Sequence, residues 1–270
     1  MKKVFALLLA VMMVLSLAAC GGSKESAPAA DAPAQEDAAL VYAVEAGSAG
    51  EAAALDNGYE INSVDTQAKA LMEVQAGTSD AAIIDSLMAG AMVGEGTSYP
   101  DLKCTDQKLT EELYGVGCRK GSDLAAYIDA VFAETYADGT MLEIATTYGV
   151  QEALVEQAAP ADYTPAADGD VAAIQGKGKL IVGITDFAPM DYKDSNGEWI
   201  GFDADMAKIV AEKLGVEIEF IEIDWDSKIM ELDSGNIDVV WNGMTLTDAV
   251  LEAMECSTAY CNNAQVVVTK

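Results

Sequence analysis

Three places in the 270-residue chain put polar side chains where a small molecule can be held. Gly47-Ser48-Ala49-Gly50-Glu51 is a glycine-flanked turn opening an Ala-rich helix. Its free backbone N–H groups and positive dipole end suit a carboxylate or other anion, although Ser48 serves equally as a plain helix cap. Asp85 follows the apolar run 81–84. A carboxylate at the end of a buried strand can grip an ammonium group where water is excluded, or it can cap a helix over 87–93. Asn242-Gly243-Met244-Thr245 ends a second expected strand, 237–241, in the same manner. Histidine is absent, no Ser or Cys stands beside an evident base, and no GxxxxGK phosphate loop occurs, so the polar groups point to binding without catalysis. The Cys256/Cys261 spacing is no metal signature, and neither a metal nor a cofactor is expected.

The two strand-end sites belong to a repeat. Met72-Glu73-Val74-Gln75-Ala76-Gly77-Thr78-Ser79-Asp80 and Met230-Glu231-Leu232-Asp233-Ser234-Gly235-Asn236-Ile237-Asp238 both read as helix, glycine stop, Asp, buried strand. The repeat predicts two α/β lobes of like design. Ligands of open α/β sheets bind beyond the carboxyl ends of the strands, so facing lobes can share one. The stretch 178–215 begins such a lobe: a strand at 179–184, Asp203 as helix cap, an apolar stripe of Phe202, Met206, Ile209, Val210 and Leu214, and Gly215 as stop. A strand at 216–223 completes a βαβ unit. Elsewhere the pattern predicts strands at 41–45, 80–84, 113–118 and 265–270, and helices at 66–76, from Asp123 to 135, and at 141–148.

Lys2 and Lys3, the apolar run 4–17 and Leu17-Ala18-Ala19-Cys20 resemble a bacterial lipobox, which makes residues 1–20 a lipoprotein signal peptide and Cys20 the lipidated residue. A polar tether over 21–40 follows. A second tether, 157–177, carries Pro165-Ala166-Ala167-Asp168, an echo of Pro28-Ala29-Ala30-Asp31. The chain is thus expected to be extracytoplasmic and lipid-anchored to the cell membrane. An exported chain permits disulfides among Cys104, Cys118, Cys256 and Cys261, with no connectivity readable from spacing. The net charge of −30, from 45 acidic and 15 basic residues, argues against a nucleic-acid partner.

GITDFAPMDY, GEWIGFDADMAKIVAEKLG, NGMTLTD, EAGSAGE and AGTSDAAIID together are similar to segments of the bacterial extracellular solute-binding proteins of family 3. The resemblance implies a two-lobed periplasmic binding protein-like (type II) fold, an amino acid or related small amine as ligand, and an ABC permease as partner. A membrane-tethered sensing module and a rearranged relic without ligand are the alternatives. In that family the lobe beginning near 178 comes first, so this chain resembles a circular permutant. One lobe is 41–112, its companion combines 113–156 with 178–270, and 157–177 links them. The permuted order implies that the lobes join covalently through 113–119 alone, with the pairing of 265–270 holding the other crossing.

Residue by residue, the resemblance implies that Phe187 and Trp225 sandwich the ligand side chain. It also implies that Asn242, Gly243 and Thr245 contact its amino and carboxylate groups, that Ser48 and Ala49 receive the carboxylate, and that Asp85 receives the amine. Asp186 is a further candidate contact. One departure stands out: the family's carboxylate-gripping Arg is missing where this chain has Asp248-Ala249-Val250, and Arg119 is the chain's sole arginine. The ligand is then an amino acid held by Thr245 and the Ser48 helix, or an amine without a carboxylate.

Overall fold

The structure, a computed structural model, describes residues 39–158 and 163–270. The signal-peptide reading, Cys20, most of the first tether and residues 159–162 of the second lie outside the described residues.

The first lobe is cut into elements by its caps. β1 (Val41–Glu45) leads through the Gly47-Ser48 turn into α1 (Ala49–Asp56), and β2 (Glu60–Val64) follows. Thr66 accepts from the Lys69 backbone to cap α2 (Gln67–Ala76), which stops at Gly77 with φ 81°. β3 (Ala81–Asp85) is buried throughout, and α3 (Ser86–Met92) and β4 (Lys103–Lys108) close this part of the chain.

The chain then enters the second lobe as β5 (Glu112–Cys118), followed by α4 (Leu124–Asp138) and α5 (Thr140–Tyr148). After the linker come α6 (Asp170–Lys177), β6 (Lys179–Ile184), the short hairpin of β7 (Tyr192–Lys193) and β8 (Trp199–Ile200), α7 (Phe202–Leu214) and β9 (Glu217–Glu222). A 3-10 turn at Trp225–Ser227 opens α8 (Lys228–Asp233), and β10 (Val239–Thr245), α9 (Asp248–Ala253), β11 (Glu255–Cys256), β12 (Cys261–Asn263) and β13 (Gln265–Thr269) complete the described chain.

The two sheets share one plan. The first runs β2-β1-β3-β13-β4; the second runs β9-β6-β10-β5 with β11 and β12 both on the far edge of β5. In each, three strands are parallel and a fourth, antiparallel, is supplied by chain arriving from the other lobe: β13 beside β3, β5 beside β10. The predicted two lobes of like design are therefore present, and each sheet is completed by its partner. The expectation of a single covalent crossing is corrected, because the chain crosses between Lys108 and Glu112 and again at Ala264, between β12 and β13.

Three further expectations change. Residues 170–177 of the second tether form α6, because Val171 and Ile174 find buried positions that their Ala/Gly-rich neighbours concealed in sequence. Asp123 holds this segment, accepting from the Ala166 and Val171 N–H groups at 3.1 Å, so it caps α6 and makes no cap bond to α4. Asp203 lies inside α7 behind Gly201 and caps nothing; fully buried, it accepts from the Gly243 N–H (2.6 Å) and the Tyr260 hydroxyl (2.7 Å). The core around it is aromatic: Phe132 meets Trp241 and Tyr260 edge-on at 5.6 and 5.5 Å, and Phe202 stacks on Tyr260.

Candidate ligand cleft

Parallel strands end on one side of their sheet, and here both sheets turn those ends toward each other. Glu45 closes β1, Asp85 closes β3, and Asn242 to Thr245 close β10; all of them line one cavity of about 400 Å³ between the lobes. The lobes nearly touch at its rim. Gly47 has φ 69°, and a Cβ there would stand 2.5 Å from the Asp226 Cα of the opposite lobe, so no larger residue fits.

Ser48 caps α1 by accepting from the Glu51 N–H at 3.1 Å, while the Glu51 carboxylate accepts from the N–H of Gly47, the residue before the cap, at 2.8 Å. The cap reading of Ser48 thus holds, and with Ala49 it also lines the cavity. Asp85 is no side-chain cap for α3. Its Oδ1 accepts from the Tyr114 hydroxyl (2.7 Å), Gln265 (3.0 Å) and Asn263, and its Oδ2 accepts from Gln67. Asn263 and Gln265 also donate to Glu112, whose carboxylate accepts from Thr245 as well. The two acids therefore knit both interlobe crossings into one hydrogen-bonded hinge. Burial, with Glu112 adding to it, pushes the Asp85 carboxyl up to about 7 against the pull of its donors.

In the second lobe, Asn242 spends its amide on Thr185, accepting from the backbone N–H (3.0 Å) and donating to the hydroxyl (2.7 Å). That bond pins the end of β6 to β10. Gly243, at φ 57°, packs under the Phe187 ring, where a Cβ would come within 2.5 Å. Phe187 itself is buried against Gly243 and Tyr114 and does not line the cavity. Asp186 faces a separate depression with Tyr148, Pro189 and Tyr192. Of the nine residues expected to meet the ligand, Ser48, Ala49, Asp85, Trp225, Asn242, Gly243 and Thr245 come together on the cavity; Asp186 and Phe187 do not. Val250, at the position of the missing Arg, also lines it.

Among the lining residues that the sequence rules passed over are Glu45, Gln67 and Lys228. Glu45 is 2% exposed, and its Oε1 has no hydrogen-bond partner among the described residues. Burial, reinforced by Asp85, pushes its carboxyl up to about 8, against the opposing influence of Lys228. The strand-end argument applied to Asp85 would have found it, since Glu45 ends the adjacent strand. Lys228 is 8% exposed; its ammonium donates to the carbonyls of Trp225 (3.0 Å) and, across the cleft, Gly47 (2.9 Å), and lies 4.7 Å from the centre of the Trp225 ring. Burial lowers its pKa, and Glu45, Asp226 and Glu51 oppose that shift.

The lobe carrying this wall has recognisable relatives. A model of the bacterial extracellular solute-binding proteins, family 3, matches residues 180–270. Residues 180–270 are thus similar to that family. The arginine-binding extracellular protein ArtP of Bacillus subtilis (strain 168) is 38% identical over 96 residues, 35% of this chain and 37% of that protein. The L-cystine-binding protein TcyA of the same organism is 37% identical over 108 residues, 39% of this chain and 40% of that protein. Among solved structures, the arginine-bound form of truncated ArgBP from T. maritima is 39% identical over 30% of this chain and 39% of that chain, with a TM-score of 0.29. The chain spans a little over a third of the length of the curated relatives it matches.

Proposed function

We propose that the protein is the extracytoplasmic substrate-binding component of an ABC importer, capturing an amino acid or related small amine between its lobes. The observation that carries this reading is the interlobe cavity of about 400 Å³, walled by buried charged groups at the carboxyl ends of strands from both sheets, one wall being the family 3 segment. That volume suits a ligand of amino-acid size. An open form admits the ligand; closure brings Trp225 against it and seals it beneath the Gly47–Asp226 contact; a permease then selects the closed form. The driving force is the ligand's greater affinity for the closed state. The role is binding without turnover, and Cys20, as a lipid-bearing residue, tethers the protein to the membrane.

The same reading includes a circularly permuted lobe order. Its support is geometric: Tyr42 at the start of β1 and Thr269 at the end of β13 both stand level with Ala81 of β3, so the two segments approach at one end of the sheet, where a direct link would join them.

Calorimetric titration of the purified chain with pooled and then individual amino acids and polyamines tests the proposal, with light scattering on the same sample. Saturable binding at micromolar affinity or tighter by a single chain is the expected result. A folded sample that binds none of these compounds rejects the receptor reading.

A further inference from the structure

The cleft holds a buried acid and a buried base that face the same space without pairing. Glu45 is almost wholly enclosed and leaves Oε1 without a donor; Lys228 meets only carbonyl oxygens and the Trp225 ring. Both line the cavity, yet among the described residues no ion pair within 4.0 Å joins Lys228 to any carboxylate. Isolated buried charges are costly, and proteins ordinarily pair them or leave them in water. An acid and a base that line one cavity without an ion pair between them form a template for a molecule carrying an ammonium and a carboxylate, whose binding would supply each with its partner.

We propose that Glu45 and Lys228 are the ligand-reading pair of this cleft, Glu45 accepting the ammonium group of a zwitterionic ligand and Lys228 donating to its carboxylate. The inference rests on the binding reading above and deepens it. Three features assign the ends. Lys228 uses two of its three ammonium protons, leaving one for a new acceptor. Its contact with the Gly47 carbonyl sets it beside Ser48 and the N-terminus of α1, so a carboxylate reaching it also meets the free N–H groups there. Glu45, by contrast, lines the cavity with its Oε1 enclosed and without a donor, while Glu51 is engaged by the Gly47 N–H and the Ser63 hydroxyl and Asp85 is occupied by four side-chain donors of the hinge. Lys228 thereby supplies the cation that is absent at Val250, and the amine falls to Glu45 in place of Asp85.

The test is a specificity exchange. Each of the twenty L-amino acids is titrated into the purified chain, and the tightest binder is compared with its decarboxylated amine and its N-acetyl derivative. The wild type is expected to favour the intact amino acid over both by about 30-fold or more, the range seen when one partner of a buried charge pair is removed. In Lys228→Met the preference over the amine collapses toward unity, and Lys228→Arg restores part of it. In Glu45→Gln the preference over the N-acetyl derivative collapses. Near-ultraviolet circular dichroism confirms folding; if Glu45→Gln does not fold, the Lys228 pair decides alone. A wild type that binds an amino acid, with variants within threefold of it on all three probes, overturns this inference and leaves the receptor reading standing. A wild type that binds putrescine but no amino acid overturns the inference and narrows the receptor reading to amines. A wild type that binds nothing overturns both.

Discussion

Replacing Asp85 with alanine tests whether the hinge carries the stability that its hydrogen bonds suggest. The substitution leaves four donors behind, but not four equal losses. Asn263 and Gln265 retain Glu112 as acceptor at 2.9 and 3.0 Å. The Tyr114 hydroxyl and the Gln67 amide lose their acceptor in surroundings that exclude water, the residues being 0% and 6% exposed. Two stranded donors at about 1–3 kcal/mol each give about 2–6 kcal/mol. Removing a buried carboxyl offsets part of that, so the expected destabilisation at pH 5 is about 2–4 kcal/mol. The pH dependence follows from the raised carboxyl. Folded Asp85 keeps its proton to about pH 7, against an ordinary value of 3.8. The folded state then binds more protons between those values, so this contribution is complete below about pH 4 and is lost as pH rises through about 7. Asp85→Ala lacks it, and the gap between wild type and variant narrows from pH 5 to pH 8.5. Urea unfolding at the two pH values measures both quantities. A variant within about 0.5 kcal/mol of wild type at pH 5, or a gap that widens at pH 8.5, refutes the hinge assignment.

Trp225→Ala removes the apolar wall and the ring beneath Lys228, and calorimetry should show at least about tenfold weaker ligand binding with little change in fold. In Gly47→Val a side chain is forced against the Asp226 backbone at positive φ, so small-angle scattering should report a wider molecule in the presence of ligand and a correspondingly lower affinity. Phe132→Ala empties the centre of the aromatic core and should destabilise by about 3–5 kcal/mol in denaturant unfolding. Among the four described cysteines, Cys104 is exposed while Cys118 and Cys261 are buried, with burial pushing their thiols up. A thiol reagent should modify Cys104 first and reach Cys118 and Cys261 only on unfolding; fast labelling of Cys118 contradicts the packing of β5.

What the sequence disclosed was periodic or local. The repeat around Asp80 and Asp238 announced two like lobes, and the glycine stops placed the ends of α2 and α7. The strand-end argument located Asp85 and the Asn242–Thr245 turn on the wall they share. What it left hidden depends on partners far along the chain. Phe187 looks like a ligand platform until Gly243, bare of a side chain, opens a slot that swallows its ring. Asp203 sits where a cap belongs, yet its partners are Gly243 and Tyr260. Lys228 is one more base on a short amphipathic helix until the first lobe brings the Gly47 carbonyl to it, and no local pattern encodes that meeting.

The mutual completion of the two sheets has a consequence for how the chain reaches its folded state. β3 and β4 are made early but are separated by an empty lane until β13 arrives; the Asp85–Gln265 contact that marks its seating spans 180 positions of sequence. Contacts that distant close large loops and form slowly. During that interval the all-buried face of β3 presents an unpaired edge, open to any extended strand that reaches it first. Synthesis of this topology therefore contains a waiting period in which correct assembly competes with strand capture between neighbouring molecules, and slower translation or crowded expression should shift the outcome toward aggregates.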